Sequence, residues 1–366
     1  MKKLAVLIGI LLPLLFLLPY ALQSAKNKVK EDLAKPVRSS IKPTRTPTQP
    51  AYKKTTEKTS IFVPYWTVPT RNGAFSDYDE VIYFGITPTK EGIDTDEVGY
   101  KDLKRFVRAV GKEQKTSLTL RMLDSTVNLA VLKDKKAQQD ITKQTVALAK
   151  EEGFDGVVLD LELTALPFSS TIEQINSFVS QLASEARKNN LSFAVLLYGD
   201  TFYRVRPFEV KTIAKSVDTV MIMAYDFHKA RGNPGPNFPL NGRNVYGYDL
   251  KKMTDDYLQF VPAEKLTIVF GLFGYDWQVE GDSQKAVANG NALSFTKIEQ
   301  SLLAKCSYQE CKTTRDPVSS ETKVTYIDGE KNHVVWFEDL ESVAKKQEFL
   351  KQRGITSSSF WAYSYF

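Results

Sequence analysis

The sequence predicts an α/β fold, a closed (β/α)8 TIM barrel, over residues 59–366. Eight short apolar segments alternate with segments of helical periodicity, and most of them are apolar on both faces, as parallel strands covered by helices should be. The chain of 366 residues can hold such a barrel, which takes about 250 residues, together with additional segments. The main alternative is an open doubly wound sheet, but its glycine-rich phosphate-binding turn does not follow the first predicted strand.

The predicted strands are spaced so that a helix fits between neighbours. They are residues 61–66, 81–84, 118–123, 156–162, 191–198, 219–225, 266–273 and 359–363. Apolar residues recur every three or four positions in 103–110 and in 172–186, which predicts amphipathic helices. Ser170 with Glu173 predicts a capping box, and Gly153 and Gly354 stand where helices should end.

The predicted barrel is longer than usual, and the excess lies between its seventh and eighth strands. We interpret residues 278–335 as a small α+β insertion at the rim. It contains a polar helical stretch and a predicted hairpin of 323–327 and 333–337 around Asp328-Gly329. Cys306 and Cys311 enclose four residues, which in an exported chain favours a disulfide; a redox-active pair would enclose two.

The amino terminus predicts export. Residues 1–25 are interpreted as a signal-anchor or signal peptide, because Lys2 and Lys3 precede an uncharged apolar run of 19 residues, 4–22. That run exceeds the roughly 7–15 residues of a cleavable signal and is close to the ~20 that cross a bilayer. Gln23 makes a poor cleavage site, so we favour an uncleaved membrane anchor over a secreted protein. Residues 26–58, rich in Lys, Thr and Pro, are predicted to be a disordered linker. Both readings make the body extracytoplasmic.

The charge distribution excludes several classes of protein. The net charge is +6, but residues 1–58 hold 12 Lys/Arg against 3 Asp/Glu, which leaves 37 against 40 for the body. A mildly acidic body argues against nucleic-acid binding. With two His and two Cys, a His/Cys metal centre is not expected, and neither is a cofactor. We expect a monomer whose membrane contact is confined to the amino-terminal segment.

The fourth predicted strand carries two carboxylates that are candidates for catalysis. Side chains alternate along a strand, so Val158, Asp160 and Glu162 share one face, which we expect to point into the barrel. Two desolvated carboxylates close together raise the pKa of at least one of them. A carboxylic acid that stays protonated near neutral pH is what glycosidic bond cleavage needs. The alternative is a structural carboxylate pair or salt bridge.

The pattern Asp155-Gly156-x-x-x-Asp160-x-Glu162 resembles the signature of glycoside hydrolase family 18, the chitinase-like barrels. Further segments in family order resemble its later strand ends: 223–226 (Met-Ala-Tyr-Asp), 271–277, 335–339 and Trp361. Segments 225–228 and 234–236 resemble bacterial members that act on cell-wall or spore-cortex glycan.

The resemblance implies a substrate-assisted, retaining reaction in which the sugar's own N-acetyl group attacks the anomeric carbon. Glu162 would protonate the leaving oxygen and then activate water. Asp160 would orient the acetamido group and stabilise its developing positive charge. Tyr225 would donate a hydrogen bond to the acetamido oxygen, and Asp226 would contact the sugar and Glu162. No metal is implied.

The resemblance also implies binding residues for the sugar. Trp361 would form the apolar floor under the ring with Met223 beside it, although both could be plain core residues. Tyr65, Trp66 and Trp277 at strand ends could line a glycan groove. His228 could touch substrate or stabilise its loop.

Val158 departs from the family pattern, because most members carry an acidic or amide residue there. We therefore expect a weaker or more specialised hydrolase of N-acetylglucosamine-containing polysaccharide. It would cleave β-1,4 linkages in peptidoglycan, which we favour, or in a chitin-like glycan. A non-catalytic sugar-binding protein of the cell envelope is the alternative, and an adaptor that docks through the rim insertion is a third hypothesis.

Overall fold

Eight parallel strands form the closed barrel. The structure is a computed structural model that describes residues 57–69, 75–111, 113–281 and 284–366. The strands are β1 (Lys58–Pro64), β2 (Glu80–Ile86), β3 (Lys115–Met122), β4 (Gly156–Leu161), β5 (Ser192–Tyr198), β6 (Thr219–Ala224), β7 (Leu266–Gly271) and β13 (Ser357–Trp361). They pair in chain order, and β13 closes the barrel between β7 and β1. Each overlaps one predicted segment, so the predicted (β/α)8 barrel is confirmed.

Helices cover the outside of the barrel. Their bounds are α1 (Val98–Ala109), α2 (Ser125–Lys133), α3 (Lys135–Glu151), α4 (Ser169–Lys188), α5 (Val210–Ser216), α6 (Arg243–Tyr246), α7 (Leu250–Leu258) and α9 (Leu340–Gln352). The short helix α8 (Phe295–Ile298) lies instead in the insertion between β7 and β13. The predicted apolar stripe of α4 is buried, including Ile175, Phe178 and Leu182. Strands β4 and β7 are buried over their whole length, which explains why both of their faces are apolar.

Local sequence predicted the carboxyl ends of two helices correctly but not the amino-terminal cap of a third. Gly153 and Gly354 follow α3 and α9 with φ of 77° and 78°, a left-handed conformation that favours glycine, as predicted. The predicted capping box was wrong. Helix α4 begins at Ser169, and Phe168 occupies its N-cap position without a side-chain hydrogen bond.

A second sheet of five antiparallel strands interrupts the barrel between β7 and β13. Its strands are β8 (Phe273–Val279), β9 (Asn291–Ser294), β10 (Gln309–Arg315), β11 (Thr322–Asp328) and β12 (Lys331–Phe337), in the order β10-β11-β12-β8-β9. It starts at Phe273, five residues before the predicted bound, because the chain leaves the barrel at Gly271 and pairs at once with β12. Cys306 and Cys311 are bonded, with 2.08 Å between their sulfurs.

The predicted signal-anchor (1–25) and residues 26–56 of the predicted linker lie outside the described residues. Within the described ranges, no helix combines the length and the apolar character that crossing a bilayer requires.

Candidate active site

The carboxyl ends of the barrel strands open into a cleft of about 470 Å³. One wall comes from the second sheet, because Phe273 and Tyr275 of β8 face the barrel opening. The residues that line the cleft include Trp66, Phe84, Leu123, Asp160, Glu162, Tyr225, Asp226, Phe273, Tyr275 and Trp361. Both predicted carboxylates therefore open into one cavity with the predicted tyrosine and tryptophan.

Asp160 is the most deeply buried member of this group, with 2% of its surface exposed. It lies in β4 opposite Arg121 of β3. Burial raises the pKa of Asp160 well above its usual range, the charge of Glu162 raises it further, and the guanidinium of Arg121 opposes both effects. Oδ1 of Asp160 is buried, and none of the described residues donates a hydrogen bond to it. Asp160 thus lines the cleft and carries one buried oxygen without a hydrogen-bond partner among the described residues.

Glu162 follows directly after the last residue of β4, which leaves its carboxyl half-exposed at the mouth of the barrel. The hydroxyl of Tyr198 donates to Oε2 of Glu162 over 3.2 Å. Burial raises the pKa of Glu162, while the ammonium of Lys229 and the Tyr198 hydrogen bond lower it. Glu162 is therefore biased toward the protonated form that a general acid needs.

Tyr225 and Asp226 occupy the turn that leaves β6. Asp226 adopts φ 60°, a left-handed conformation that is rare for a residue other than glycine. Its backbone N–H donates to Oδ1 of Asn237 over 2.7 Å, and its carboxylate accepts from the hydroxyl of Tyr275 over 2.7 Å. Burial raises the pKa of Asp226, whereas Lys229 and the Tyr275 hydrogen bond lower it.

Trp361 ends β13 and lies at the bottom of the cleft among other aromatic rings. Its ring centroid is 5.7 Å from that of Phe62, 4.8 Å from that of Phe84 and 6.5 Å from that of Tyr225. Trp361 is only partly buried, so one surface of the indole remains open to the cavity. This arrangement suits the apolar face of a sugar ring.

The remaining predicted binding residues differ in their positions. Met223 is 5% exposed and lines a small recess beside Glu162, next to the main cleft. Tyr65 packs edge-on against Trp66, with 4.9 Å between centroids, and is not part of the cleft lining, whereas Trp66 is half-exposed and lines it. His228 contacts the carbonyl oxygen of Pro236 through Nδ1 over 2.7 Å, which fits the loop-stabilising alternative.

The predicted role of Trp277 as a groove residue was wrong. Trp277 is fully buried in the apolar cluster of the second sheet, and its Nε1 donates to the carbonyl oxygen of Ala230 over 3.3 Å. Phe273, Tyr275 and Trp277 share one face of β8, but only the first two reach the cleft. Strand alternation could place them on one face; it could not tell which of them the loop after β6 would cover.

The sequence analysis did not identify three side chains that lie beside the predicted catalytic residues. Tyr198 ends the predicted strand 191–198, and its position at a strand end is a pattern that could have revealed it. Tyr275 lies within the family-like segment 271–277 without an assigned role. Arg121 projects inward beside Asp160, pairs with Glu97 and lies 5.2 Å from the ring centroid of Tyr65. Its contact with Glu97 depends on tertiary structure alone.

Among the described residues, no three His, Cys, Asp or Glu side chains are grouped so that they could hold a metal ion. The site offers a carboxyl biased toward protonation, a second carboxyl with a free oxygen, a tyrosine and an apolar floor, which together suit acid catalysis on a sugar.

A family model supports the same conclusion. The model described as Glycosyl hydrolases family 18 matches residues 52–365. The curated relatives include the "Putative sporulation-specific glycosylase YdhD" of Bacillus subtilis, 23% identical over 67% of this chain and 56% of the relative. The "Cortical fragment-lytic enzyme" of the same organism is 22% identical over 70% of this chain and 58% of the relative. The chain thus spans little more than half the length of these relatives.

Solved structures share the fold. A family 18 chitinase from Cycas revoluta in complex with (GlcNAc)3 superposes with a TM-score of 0.71 at 23% identity, over 83% of this chain and 94% of the chitinase. A class V chitinase from tobacco gives a TM-score of 0.73 at 15% identity, over 85% and 95% of the two chains. The family match covers most of the chain and includes every residue of the cleft. The chain belongs to glycosyl hydrolase family 18.

Proposed function

We propose that this protein hydrolyses β-1,4 linkages at N-acetylglucosamine in peptidoglycan by a substrate-assisted, retaining mechanism. The observation that carries the proposal is the position of Glu162. Its carboxyl has a raised pKa and opens into one cleft with Asp160, Tyr225 and Trp361. A protein that only bound sugar would have no need of a carboxyl biased toward protonation at this point.

The proton would move first from Glu162 to the oxygen of the leaving sugar. Tyr198 holds the carboxyl of Glu162 through Oε2, so the orientation of the acid is set before substrate binds. Once the leaving group has lost its bond to the anomeric carbon, Glu162 is a carboxylate and can take a proton from the attacking water.

The acetamido group of the sugar would supply the nucleophile. Asp160 is placed to accept a hydrogen bond from the acetamido N–H, since its Oδ1 is buried and unpartnered among the described residues. Its negative charge would then stabilise the oxazolinium ion. Tyr225 and Trp361, which line the same cleft, would hold the acetamido oxygen and the sugar ring.

The choice of peptidoglycan draws support from two relatives, a putative sporulation-specific glycosylase and a cortical fragment-lytic enzyme. The chitinase complex with (GlcNAc)3 supports N-acetylglucosamine as the sugar that the cleft accepts. Digestion of purified peptidoglycan and of chitin, with mass analysis of the fragments, tests the choice. Release of fragments from chitin alone would contradict it.

The test of mechanism is Glu162→Gln. We expect hydrolysis of a fluorogenic N-acetylglucosamine oligomer to fall about a thousandfold, because an amide cannot deliver the proton. Binding of the oligomer, measured by calorimetry, should persist because the amide keeps the size of the carboxyl. Glu264→Gln, an exposed residue on the same chain, is the matched control and should leave turnover unchanged.

A non-catalytic sugar-binding protein is the second candidate, and the apolar Val158 below Asp160 favours it. Without a polar group on the same strand, Asp160 has no partner there with which to share a proton. Wild-type protein that binds the oligomer without releasing the fluorophore would establish this alternative. Turnover that is unchanged in Glu162→Gln would exclude both assignments of the cleft.

We also propose that the body acts outside the cytoplasm, held at the membrane by residues 4–22. The apolar run and the Lys/Thr/Pro-rich segment after it support this placement. Fractionation of cells that express the full chain tests it. The protein should sediment with membranes and be digested by protease added outside the cytoplasmic membrane.

A further inference from the structure

A second cavity, of about 410 Å³, lies beside the cleft at the start of the loop after β6. Its lining is rich in cationic side chains. The polar and charged residues around it are Arg204, His228, Lys229, Arg231, Asn233 and Tyr275. Neither the sequence patterns nor the proposed mechanism assigns it a role.

The cavity lies next to the proposed active site and shares lining residues with it. Tyr275 lines both the cleft and the second cavity. Lys229 lines the second cavity and also the small recess that contains Glu162 and Asp226, and its Nζ lies 3.8 Å from Oδ2 of Asp226. The shared residues place the cavity on the side of the cleft where Glu162, Asp226 and Tyr275 lie.

The charges around the cavity are only partly compensated. Nε of Arg204 is 3.1 Å from Oδ2 of Asp200, but Arg206 binds the other oxygen of the same carboxylate at 2.7 Å. Lys229 faces Asp226, whose negative charge Tyr275 also holds through a hydrogen bond. Arg231 is exposed, and no described carboxylate forms an ion pair with it. The cations outnumber the carboxylates, so the cavity favours an anion.

His228 does not add to this charge. Its Nδ1 lies 2.7 Å from the carbonyl oxygen of Pro236 and donates to it. Burial lowers the pKa of His228, so the ring is neutral at neutral pH. The guanidinium of Arg204 is held by Asp200 and donates through Nη2 to the carbonyl oxygen of Phe227 over 2.8 Å. The anion would therefore mainly meet the guanidinium of Arg231 and the ammonium of Lys229. Guanidinium matches the geometry of a carboxylate, with two parallel N–H donors for its two oxygens.

We infer that this cavity binds a carboxylate of the substrate, so that the preferred substrate is an N-acetylated glycan bearing carboxylates rather than a neutral one. The inference rests on the proposed function, because the cleft must hold the sugar that carries the group. In peptidoglycan, the carboxylate can belong to the lactyl ether on alternate sugars or to the peptide attached to that ether. An unsubstituted N-acetylglucosamine polymer has no such group to pair with the cations.

Binding to the Glu162→Gln protein tests the inference without cleavage. The ligands are peptide-free peptidoglycan strands with free lactyl carboxylates, the same strands with the carboxyls converted to methylamides, peptide-bearing strands, and N-acetylglucosamine oligomers of equal length. We expect the carboxylate strands to bind about tenfold more tightly than their methylamides, since hydrogen bonds between charged groups are the stronger ones. The preference should shrink when salt rises from about 0.05 M to about 0.5 M.

Arg231→Gln in the same background should remove most of the preference and leave the affinity for neutral oligomers unchanged. Arg108→Gln makes the same charge change on the exposed side of α1 and should preserve the preference. Equal affinity for the carboxylate, methylamide and peptide-bearing strands would overturn the inference. So would an Arg231→Gln variant that weakens neutral oligomers as much as charged ones.

Comparison of the ligands distinguishes the two possible sources of the carboxylate. A hydrolysis assay distinguishes the assignment of the cavity from the proposed function. A preference already present in peptide-free strands assigns the lactyl carboxylate, and one that needs the peptide assigns a peptide carboxylate. If the wild-type protein cleaves neutral oligomers but binds carboxylate-bearing ligands no more tightly, the result would contradict the assignment of the cavity. It would remain compatible with the proposed hydrolase function. Carboxylate-selective binding by a wild-type protein that cleaves none of the ligands would support the assignment of the cavity and contradict the proposed hydrolase function.

Discussion

Asp160 places an ionisable side chain inside a packed barrel, where burial opposes its ionisation. Its carboxyl is buried beside Glu162, and Arg121 only partly offsets the effect of desolvation on its pKa. Because ionising a buried carboxyl is unfavourable, Asp160, which the proposed mechanism needs as an anion, also destabilises the folded state. Residues at functional sites commonly carry such a penalty.

Asp160→Asn should therefore stabilise the protein while abolishing its activity. The pKa of Asp160 is higher in the folded state than the ~3.9 of an unfolded chain, so the folded state binds more protons. The free energy of unfolding must then fall as pH rises from about 4 through the folded pKa. Asparagine does not ionise, so Asp160→Asn does not lose free energy of unfolding over this pH range. We expect it to be about 1–3 kcal/mol more stable than wild type at pH 7 and about equal at pH 4.

Urea unfolding at the two pH values measures this difference. Asp328→Asn, at the exposed tip of the β11–β12 hairpin, is the control and should show no comparable gain at pH 7. A loss of stability in Asp160→Asn at pH 7 would contradict the prediction. It would mean that the attraction between Arg121 and the Asp160 carboxylate outweighs the desolvation of that carboxylate.

At the scale of elements, the loop after β6 is held in place by the second sheet. Asn237 is 2% exposed, accepts from the backbone N–H of Asp226 and donates to the carbonyl oxygens of Gly271 and Phe273. The backbone N–H groups of Asn237 and Phe238 donate to Glu321 over 2.5 and 2.8 Å. The second sheet thereby helps to keep Asp226 in its left-handed conformation.

Glu321 is itself part of a buried ion cluster. Lys346 of α9 lies 2.7 Å from Oε1 of Glu321 and also pairs with Glu338, and all three side chains are fully buried. Pairing with Lys346 offsets only part of the desolvation, since burial still raises the pKa of Glu338 to about 8. The cluster ties the second sheet, the last helix and the loop of Asp226 together.

Asn237→Ala should lower kcat by about tenfold to a hundredfold with a smaller change in KM, because Asp226 loses the acceptor that fixes its backbone. Kinetics on a soluble oligomer, together with the midpoint of thermal unfolding, measure the effect. Asn176→Ala removes a hydrogen bond to Glu209 on the outside of the barrel and should leave kcat unchanged. A lower unfolding midpoint with full kcat would assign Asn237 a purely structural role.

At the scale of the whole molecule, the barrel closes within the described residues. Residues 58–61 of β1 pair with 357–360 of β13, so the first and last strands complete the same sheet. Glu57 is the first residue that the structure describes, and all eight strands of the barrel follow it. We therefore expect the body to fold without residues 1–56.

Removal of residues 1–56 should leave kcat/KM on soluble oligomers and the unfolding midpoint unchanged. It should reduce release of fragments from intact cell envelopes, because the enzyme is no longer held near its polymer. Removal of residues 1–61 is the control, since it deletes the β1 segment that pairs with β13 and should abolish folding. A shorter protein that loses activity on soluble oligomers would show that the amino-terminal segment belongs to the active body.

By itself, the sequence determined the barrel, its strand order and the inward face of β4. These features follow from local rules: apolar runs form buried parallel strands, and side chains alternate along a strand. Strand alternation identified Asp160 and Glu162, and the family resemblance added Tyr225, Asp226 and Trp361. The structure brings all five into one cleft.

Only the tertiary structure decided which aromatic residues reach that cleft and what holds the charges beside it. Trp277 is buried under the loop after β6, and Tyr65 packs against Trp66, because packing between segments distant in sequence determines exposure. Tyr198, Arg121 and Asn237 act on residues from other strands or loops. Such contacts depend on three-dimensional proximity, which no local pattern in the sequence encodes.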